Sequence, residues 1–175
     1  MNNFETVKEC TIFKNFSIDE IIEIFSVISF YEKDYKKNDI ILAENTKVEY
    51  FGIITNGKIA LSNFDYFGNR NILNVFEKGD SFAEALVSLE IQIPHEVISL
   101  TDSSIVWIEY KSLSKSLYYQ KILNNLLNTF HLQKSYKKVF HFHLKSHKYH
   151  MVFLSYNQLF SNIILQRFKR KIPTL

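Results

Sequence analysis

Seven short runs of β-forming residues, cut apart by polar turn residues, occupy the stretch from residue 30 to residue 109, and no other feature limits the fold as tightly. Residues 30–35, 40–43, 51–55, 58–64, 71–75, 97–100 and 104–109 are rich in β-branched and aromatic side chains, which suit a pleated, half-buried surface. Between them stand Lys37-Asn38-Asp39, Asn45-Thr46, Asn56-Gly57, Gly68-Asn69 and Gly79-Asp80, residue types that reverse a chain. Asn56-Gly57 reads as the tight turn of a hairpin joining two apolar strands. Many short strands at this spacing predict an all-β sandwich or jelly roll.

Helical patterns flank this region. Ser17-Ile18-Asp19-Glu20 has the spacing of a capping box, in which serine and glutamate side chains satisfy each other's backbone amides, so a helix is expected to begin there. Ile18, Ile21, Ile22, Phe25 and Ile28 follow at the spacing of one apolar face. From Ser112 the period turns helical again. Leu113 and Leu117 are four apart, then Ile122, Leu123, Leu126, Leu127 and Phe130 form an apolar stripe, with Asn124, Asn125 and Asn128 directed elsewhere. The expected class is mainly β with flanking α.

At 175 residues the chain holds one ordinary domain and an appendage. Cys10 is its one cysteine, which excludes an internal disulfide and a four-cysteine iron–sulfur cluster. No run reaches the roughly 18 apolar residues of a bilayer span, and the N-terminus lacks the basic-then-apolar order of a signal peptide, so a cytoplasmic location without membrane association is expected. Charge is partitioned. All 18 carboxylates lie at or before Glu109, together with 9 of the 21 Lys and Arg, whereas residues 110–175 carry the other 12 basic residues and no acid. A basic tail beside an acidic domain can meet nucleic acid, and it can equally be a set of solvated helices.

One segment narrows the fold further. Gly79-Asp80-Ser81-Phe82-Ala83-Glu84 follows a predicted strand and runs into Ala85 and Leu86. Over residues 12–113 the arrangement resembles the sensor domain of the Crp/Fnr family of bacterial transcription regulators, whose cassette reads Gly-Asp-x-Phe-Gly-Glu. That resemblance implies a double-stranded β-helix, or jelly roll, of the cyclic-nucleotide-binding type, followed by a long dimerisation helix. It divides the chain into a sensor at 1–111, a dimer helix at 112–136 bearing Leu117, Ile122, Leu123, Leu126, Leu127 and Phe130, and a short basic region at 137–175. Near positions 38 and 45, where the family usually has glycine, this chain has asparagine, the non-glycine residue that best tolerates a left-handed backbone.

A cyclic nucleotide needs an acceptor for its ribose hydroxyl, a close-approaching main chain and a cation for its phosphate. The resemblance implies that Glu84 takes the hydroxyl. Ala83 replaces the glycine and adds a methyl group where the ligand would press. The cation is missing: residues 85–101 contain no Arg or Lys, and Pro94 and His95 stand near the expected place, between Glu90 and Glu96. A bidentate arginine supplies two charge-assisted hydrogen bonds, each contributing about 1.5 to 3 kcal/mol. Without it no useful affinity for cyclic AMP or cyclic GMP is expected. The candidate effector pocket comprises Gly79, Phe82, Ala83, Glu84, Ala85, Leu86, Pro94, His95 and Val97. Leu86, Val87, Leu89 and Ile91 would give it an apolar wall for a small hydrophobic or peptide-like effector, or its own side chains fill it. His95, a single histidine beside Pro94, reads as a surface residue rather than a haem ligand or a protonatable substitute cation.

His143, His147 and His150 share one helical face with no carboxylate or cysteine to complete a metal site, so no metal or other cofactor is assigned. Arg167, Lys169, Arg170 and Lys171 are the candidate nucleic-acid contacts; neutralising phosphates would not by itself specify a sequence. No winged helix-turn-helix is recognisable after Ser135, a composition that truncation or a shifted frame in a low-GC gene would also produce. No catalytic constellation appears, and a cupin-like metal enzyme would need more histidines than His95 before residue 131. The expected function is effector sensing in a homodimeric transcription regulator, with a small-molecule effector or none. The alternative is a truncated stand-alone dimerisation or interaction module that does not bind DNA.

Overall fold

The computed structural model describes residues 4–90 and 92–132. Helices α1 (Phe4–Glu9) and α2 (Ile18–Val27) precede strands β1 (Phe30–Tyr35), β2 (Ile40–Leu42), β3 (Tyr50–Asn56), β4 (Lys58–Phe64), β5 (Arg70–Glu77) and β6 (Ser81–Phe82). Helix α3 (Glu84–Leu89), strands β7 (Glu96–Ser99) and β8 (Ser103–Glu109) and helix α4 (Tyr119–Leu132) follow. Two four-stranded antiparallel sheets result, one in the order β1-β8-β3-β6 and the other in the order β2-β7-β4-β5. This is the mainly β, jelly-roll-like architecture expected. Among the described residues no helix is long and apolar enough to cross a membrane.

The central strands of the first sheet are buried on both faces, which is why they read as continuous apolar runs rather than alternating ones. Phe51 and Ile53 of β3 and Val106 and Ile108 of β8 point outward into a core shared with α1, α2 and α4. Ile54 of β3 and Ile105 and Trp107 of β8 point inward, where they meet Ile59, Phe76 and Val97 of the second sheet. Burying each such side chain contributes about 1.5 to 3 kcal/mol. The two cores therefore share one sheet as a common wall.

The capping box forms as predicted: the Glu20 amide donates to Ser17 Oγ over 3.1 Å and the Ser17 amide donates to the Glu20 carboxylate over 2.7 Å. The buried face of α2 differs from the expected one, since it is Ile21, Ile24, Phe25 and Ile28 that enter the outer core while Ile22 is exposed. Asn38 and Asn45 adopt φ of 74° and 62°, the left-handed backbone for which asparagine was read in place of glycine.

Two further sequence expectations are corrected. Asn56-Gly57 does not close a hairpin, because β3 and β4 lie in different sheets and do not pair. Gly57, at φ 85°, instead turns the corner between the sheets with its α-carbon against the Asp102–Ser103 turn, where a Cβ would strike Ser103 Oγ and the Asp102 carbonyl. The helix expected from Ser112 is also broken. Tyr110–Lys115 forms a 3-10 helix, and the chain bends at Ser116 before α4 begins. That bend leaves Leu117 89 % exposed, while Leu113 stays fully buried.

Gly57→Ala combines a left-handed alanine with a steric clash against backbone, and is expected to cost about 3 kcal/mol. Thermal or urea unfolding of the variant would show a large fall in stability; a loss below about 1 kcal/mol would mean that the corner relaxes freely.

Candidate functional site

The cassette begins at a turn. Gly79, at φ 90°, donates its amide to the Ile54 carbonyl over 2.8 Å, and the Asp80 carboxylate accepts from the Glu77 amide over 2.8 Å. This pins the segment so that β6 pairs with β3, with Phe82 opposite Gly52. Trp107 of β8 lies opposite Gly52 on the other side, and Tyr31 of β1 lies opposite Trp107. One row thus runs across the first sheet: Tyr31, Trp107, Gly52, Phe82. A side chain at Gly52 would collide with the Phe82 ring, so the missing Cβ lets Phe82 lie edge-on to Trp107 with ring centroids 5.2 Å apart.

The consequence for the expected pocket is direct. Phe82, Ala83, Ile93 and Val97 pack with Phe76 and Trp107 in one continuous core, with Leu86 against it. Beside the cassette these side chains are buried against one another. Val87 belongs to the outer core instead, so α3 bridges the two cores. Ala85 and Pro94 are half-buried. Leu89's side chain and Ile91 lie outside the described residues.

Ala83 adopts φ 67° and stands immediately before α3. An alanine in the left-handed region costs about 1 to 2 kcal/mol relative to the right-handed one, so the main chain keeps the bend that glycine would allow. Glu84 is fully buried, and its carboxylate accepts a hydrogen bond from the Ser81 hydroxyl. Close by is Cys10, also fully buried. Burial pushes its thiol up to about 12; the Ile12 amide opposes this shift, and the negative charge of Glu84 adds to it. The side chain read from the cassette as a ribose acceptor is thus engaged with Ser81 beside the N-terminal segment.

His95 is not a surface residue: it is 2 % exposed. The loop before it is drawn inward by two backbone bonds, from the Asn45 amide to the Ile93 carbonyl at 2.8 Å and from the Ile93 amide to the Thr46 carbonyl at 3.0 Å. A cation does reach the neighbouring strand, from β5 rather than from the cassette loop. Arg70 lies 2.7 Å from Glu96 and 5.0 Å from the centre of the Phe64 ring, so its charge is already matched. Among the described residues no group of three or more His, Cys, Asp or Glu side chains could hold a metal ion.

The predicted dimer stripe is divided. Ile122 and Leu126 are buried with Ile12, Phe13 and Phe16 of the same chain, and Leu123 packs against that core. Asn125 fastens the helix there by donating from Nδ2 to the carbonyls of Ile12 and Lys14, both at 2.9 Å, and Lys121 lies 3.2 Å from Glu20. This face is covered within the chain, so Ile122 and Leu126 are not open to a second copy. The side chains of Leu127 and Phe130, the three tail histidines, and Arg167, Lys169, Arg170 and Lys171 lie outside the described residues.

Sequence reasoning missed the cavity. A cleft of about 380 Å³ opens at the Tyr31 end of the row, walled by Tyr31, Tyr50 and Trp107 and edged by Lys33, Lys47 and Glu49. The period-two repeat Tyr31, Lys33, Tyr35 on β1 was its one sequence signal. Burial raises the Tyr31 and Tyr35 hydroxyls above the usual phenol range, and the Trp107 indole partly offsets the rise at Tyr35.

With this geometry in place, comparison with known proteins gives a consistent result. Residues 32–117 match the family model described as the cyclic nucleotide-binding domain. Among curated proteins none matches the sequence. The structure is similar to a regulatory protein from Silicibacter pomeroyi DSS-3, with TM-score 0.58 and 16 % identity, over 74 % of this chain and 61 % of that one. It is similar to the N-terminal domain of a transcriptional regulator from Streptomyces coelicolor A3(2), with TM-score 0.60 and 16 % identity, over 77 % and 94 %. It is also similar to the sensor domain of the transcriptional regulator DNR from Pseudomonas aeruginosa, with TM-score 0.55 and 16 % identity, over 98 % and 93 %. The chain thus spans less than two thirds of the Silicibacter protein and nearly all of the two regulator domains. Residues 32–117 are thus similar to the cyclic nucleotide-binding domain, and the chain shares the fold of these solved structures.

Cys10 provides a check on this packing. The folded chain holds the thiol proton up to about pH 12, whereas an ordinary thiol releases it near 9.0, so the associated stability is complete below pH 9.0 and is lost as pH rises toward 12. At neutral pH a disulfide reagent is expected to label Cys10 only as fast as the protein unfolds, with rapid labelling in denaturant. Fast labelling of the native protein would contradict the closed packing around Glu84.

Proposed function

We propose that the chain is the effector-sensing part of a Crp/Fnr-like bacterial transcription regulator that does not respond to cyclic AMP or cyclic GMP. The observation that carries this reading is the cassette itself. Its turn, its strand and its left-handed residue are present, while its interior is filled by Phe82, Ile93 and Val97 and no Arg or Lys occurs from residue 85 to 101. A nucleotide entering there would have to displace packed rings and leave its phosphate without a cation, and either change opposes binding. In this reading the protein works as a cytoplasmic homodimer without catalytic activity. The contact falls on parts of the chain other than the covered Ile122–Leu126 face, and the basic residues beyond 132 approach DNA.

Calorimetric titration of the full chain with cyclic AMP and with cyclic GMP is expected to show no binding heat at micromolar ligand; micromolar affinity for either would overturn the ligand half of the proposal.

Gel-shift titration on DNA from upstream of its own gene, at two salt concentrations, addresses the other half. A complex that discriminates against unrelated DNA and survives the higher salt is expected of a regulator. Binding that is equal on any sequence and collapses with salt reflects phosphate neutralisation alone, and would favour a stand-alone interaction module.

A further inference from the structure

We propose that the cleft between Tyr31, Tyr50 and Trp107 is a binding site for a small planar aromatic carboxylate. It is a different site from the cassette, and it stands or falls without the regulatory role proposed above.

Two features of the cleft point to this ligand class. Its wall is aromatic: Tyr31 stacks on Trp107 at 21° with centroids 6.3 Å apart, and Tyr50 meets Tyr31 edge-on at 5.3 Å. Such a surface favours a flat ring over an aliphatic chain. Its edge is cationic, because Lys33 and Lys47 border the opening and neither forms an ion pair among the described residues. Lys33 rests 4.8 Å from the centre of the Tyr35 ring, a weak restraint that a carboxylate can replace. Glu49, at the same edge, disfavours a dianion and so selects a carboxylate over a phosphate.

A ring lying on this wall places its carboxylate toward the lysines. A cleft of about 380 Å³ accommodates one or two fused rings.

The chain contains a single tryptophan, so its fluorescence reports on Trp107 alone. Titrating the full chain with benzoate, which has ring and charge, is expected to give a saturable change with a Kd in about the millimolar range, as suits so small a ligand. Benzyl alcohol, with the ring only, and acetate, with the charge only, are expected to give none, and phenyl phosphate to bind more weakly than benzoate. The double variant Lys33→Ala/Lys47→Ala alters only exposed side chains and is expected to raise the Kd at least about tenfold, the loss of one charge-assisted contact. Lys115→Ala, away from the cleft, is expected to leave it unchanged. The proposal is overturned if benzoate gives no saturable change, if benzyl alcohol or acetate matches it, if phenyl phosphate binds more tightly, or if the double variant binds as the parent does.

Discussion

The rest of the structure depends on a cross-strand row in the first sheet, where Gly52 separates Trp107 from Phe82. Any side chain at Gly52 would occupy the space of the Phe82 ring. With none there, the ring closes over the glycine onto Trp107, and the inner faces of the two sheets meet around that contact. Phe76 and Ile105 complete the packing. The first sheet can then present its outer face to the helices, since its inner face is already closed.

That contact also determines what the cassette can do. Its backbone keeps the geometry of a ligand-facing bend, with Gly79 and Ala83 both at positive φ. Its side chains are committed elsewhere, Phe82 to the inner core and Glu84 to Ser81 near Cys10. A fold can keep the main-chain form of a binding segment after its chemistry has been redirected, because form and chemistry reside in different atoms. The space that stays open lies at the other end of the row, beside Tyr31, where β1 is an edge strand and only one neighbour covers it.

Much of the architecture was legible in the residues. The seven expected strands appear within a residue or two, because β-branched and aromatic runs bounded by turn residues express local preferences. The Ser17–Glu20 box and the left-handed Asn38 and Asn45 were legible for the same reason, each depending on atoms only a few residues apart. Two of the misreadings involve distant partners. Asn56-Gly57 carries a hairpin signal, yet the Asp102–Ser103 turn packs against it and makes it a corner between sheets. His95 looked exposed beside Pro94, and the pairing of residues 92–93 with 45–47 buries it. The two-residue β6 and the short α3 are too brief to carry a period, and tertiary pairing alone reveals them.

The sequence by itself determined the class of fold, the cap of α2, the turns that need left-handed residues and the absence of a cation in the cassette loop, all of which follow from residue type and local spacing. The tertiary structure decided whether space remained inside. Whether Phe82 points into a pocket or fills one depends on a glycine 30 positions earlier and a tryptophan 25 positions later. Filling is set by volumes that meet only when strands distant in the chain become neighbours, and a local pattern does not encode it. For the same reason the apolar stripe of α4 was visible as a stripe, while its cover, Ile12 and Phe13 of the same chain, was settled only by packing.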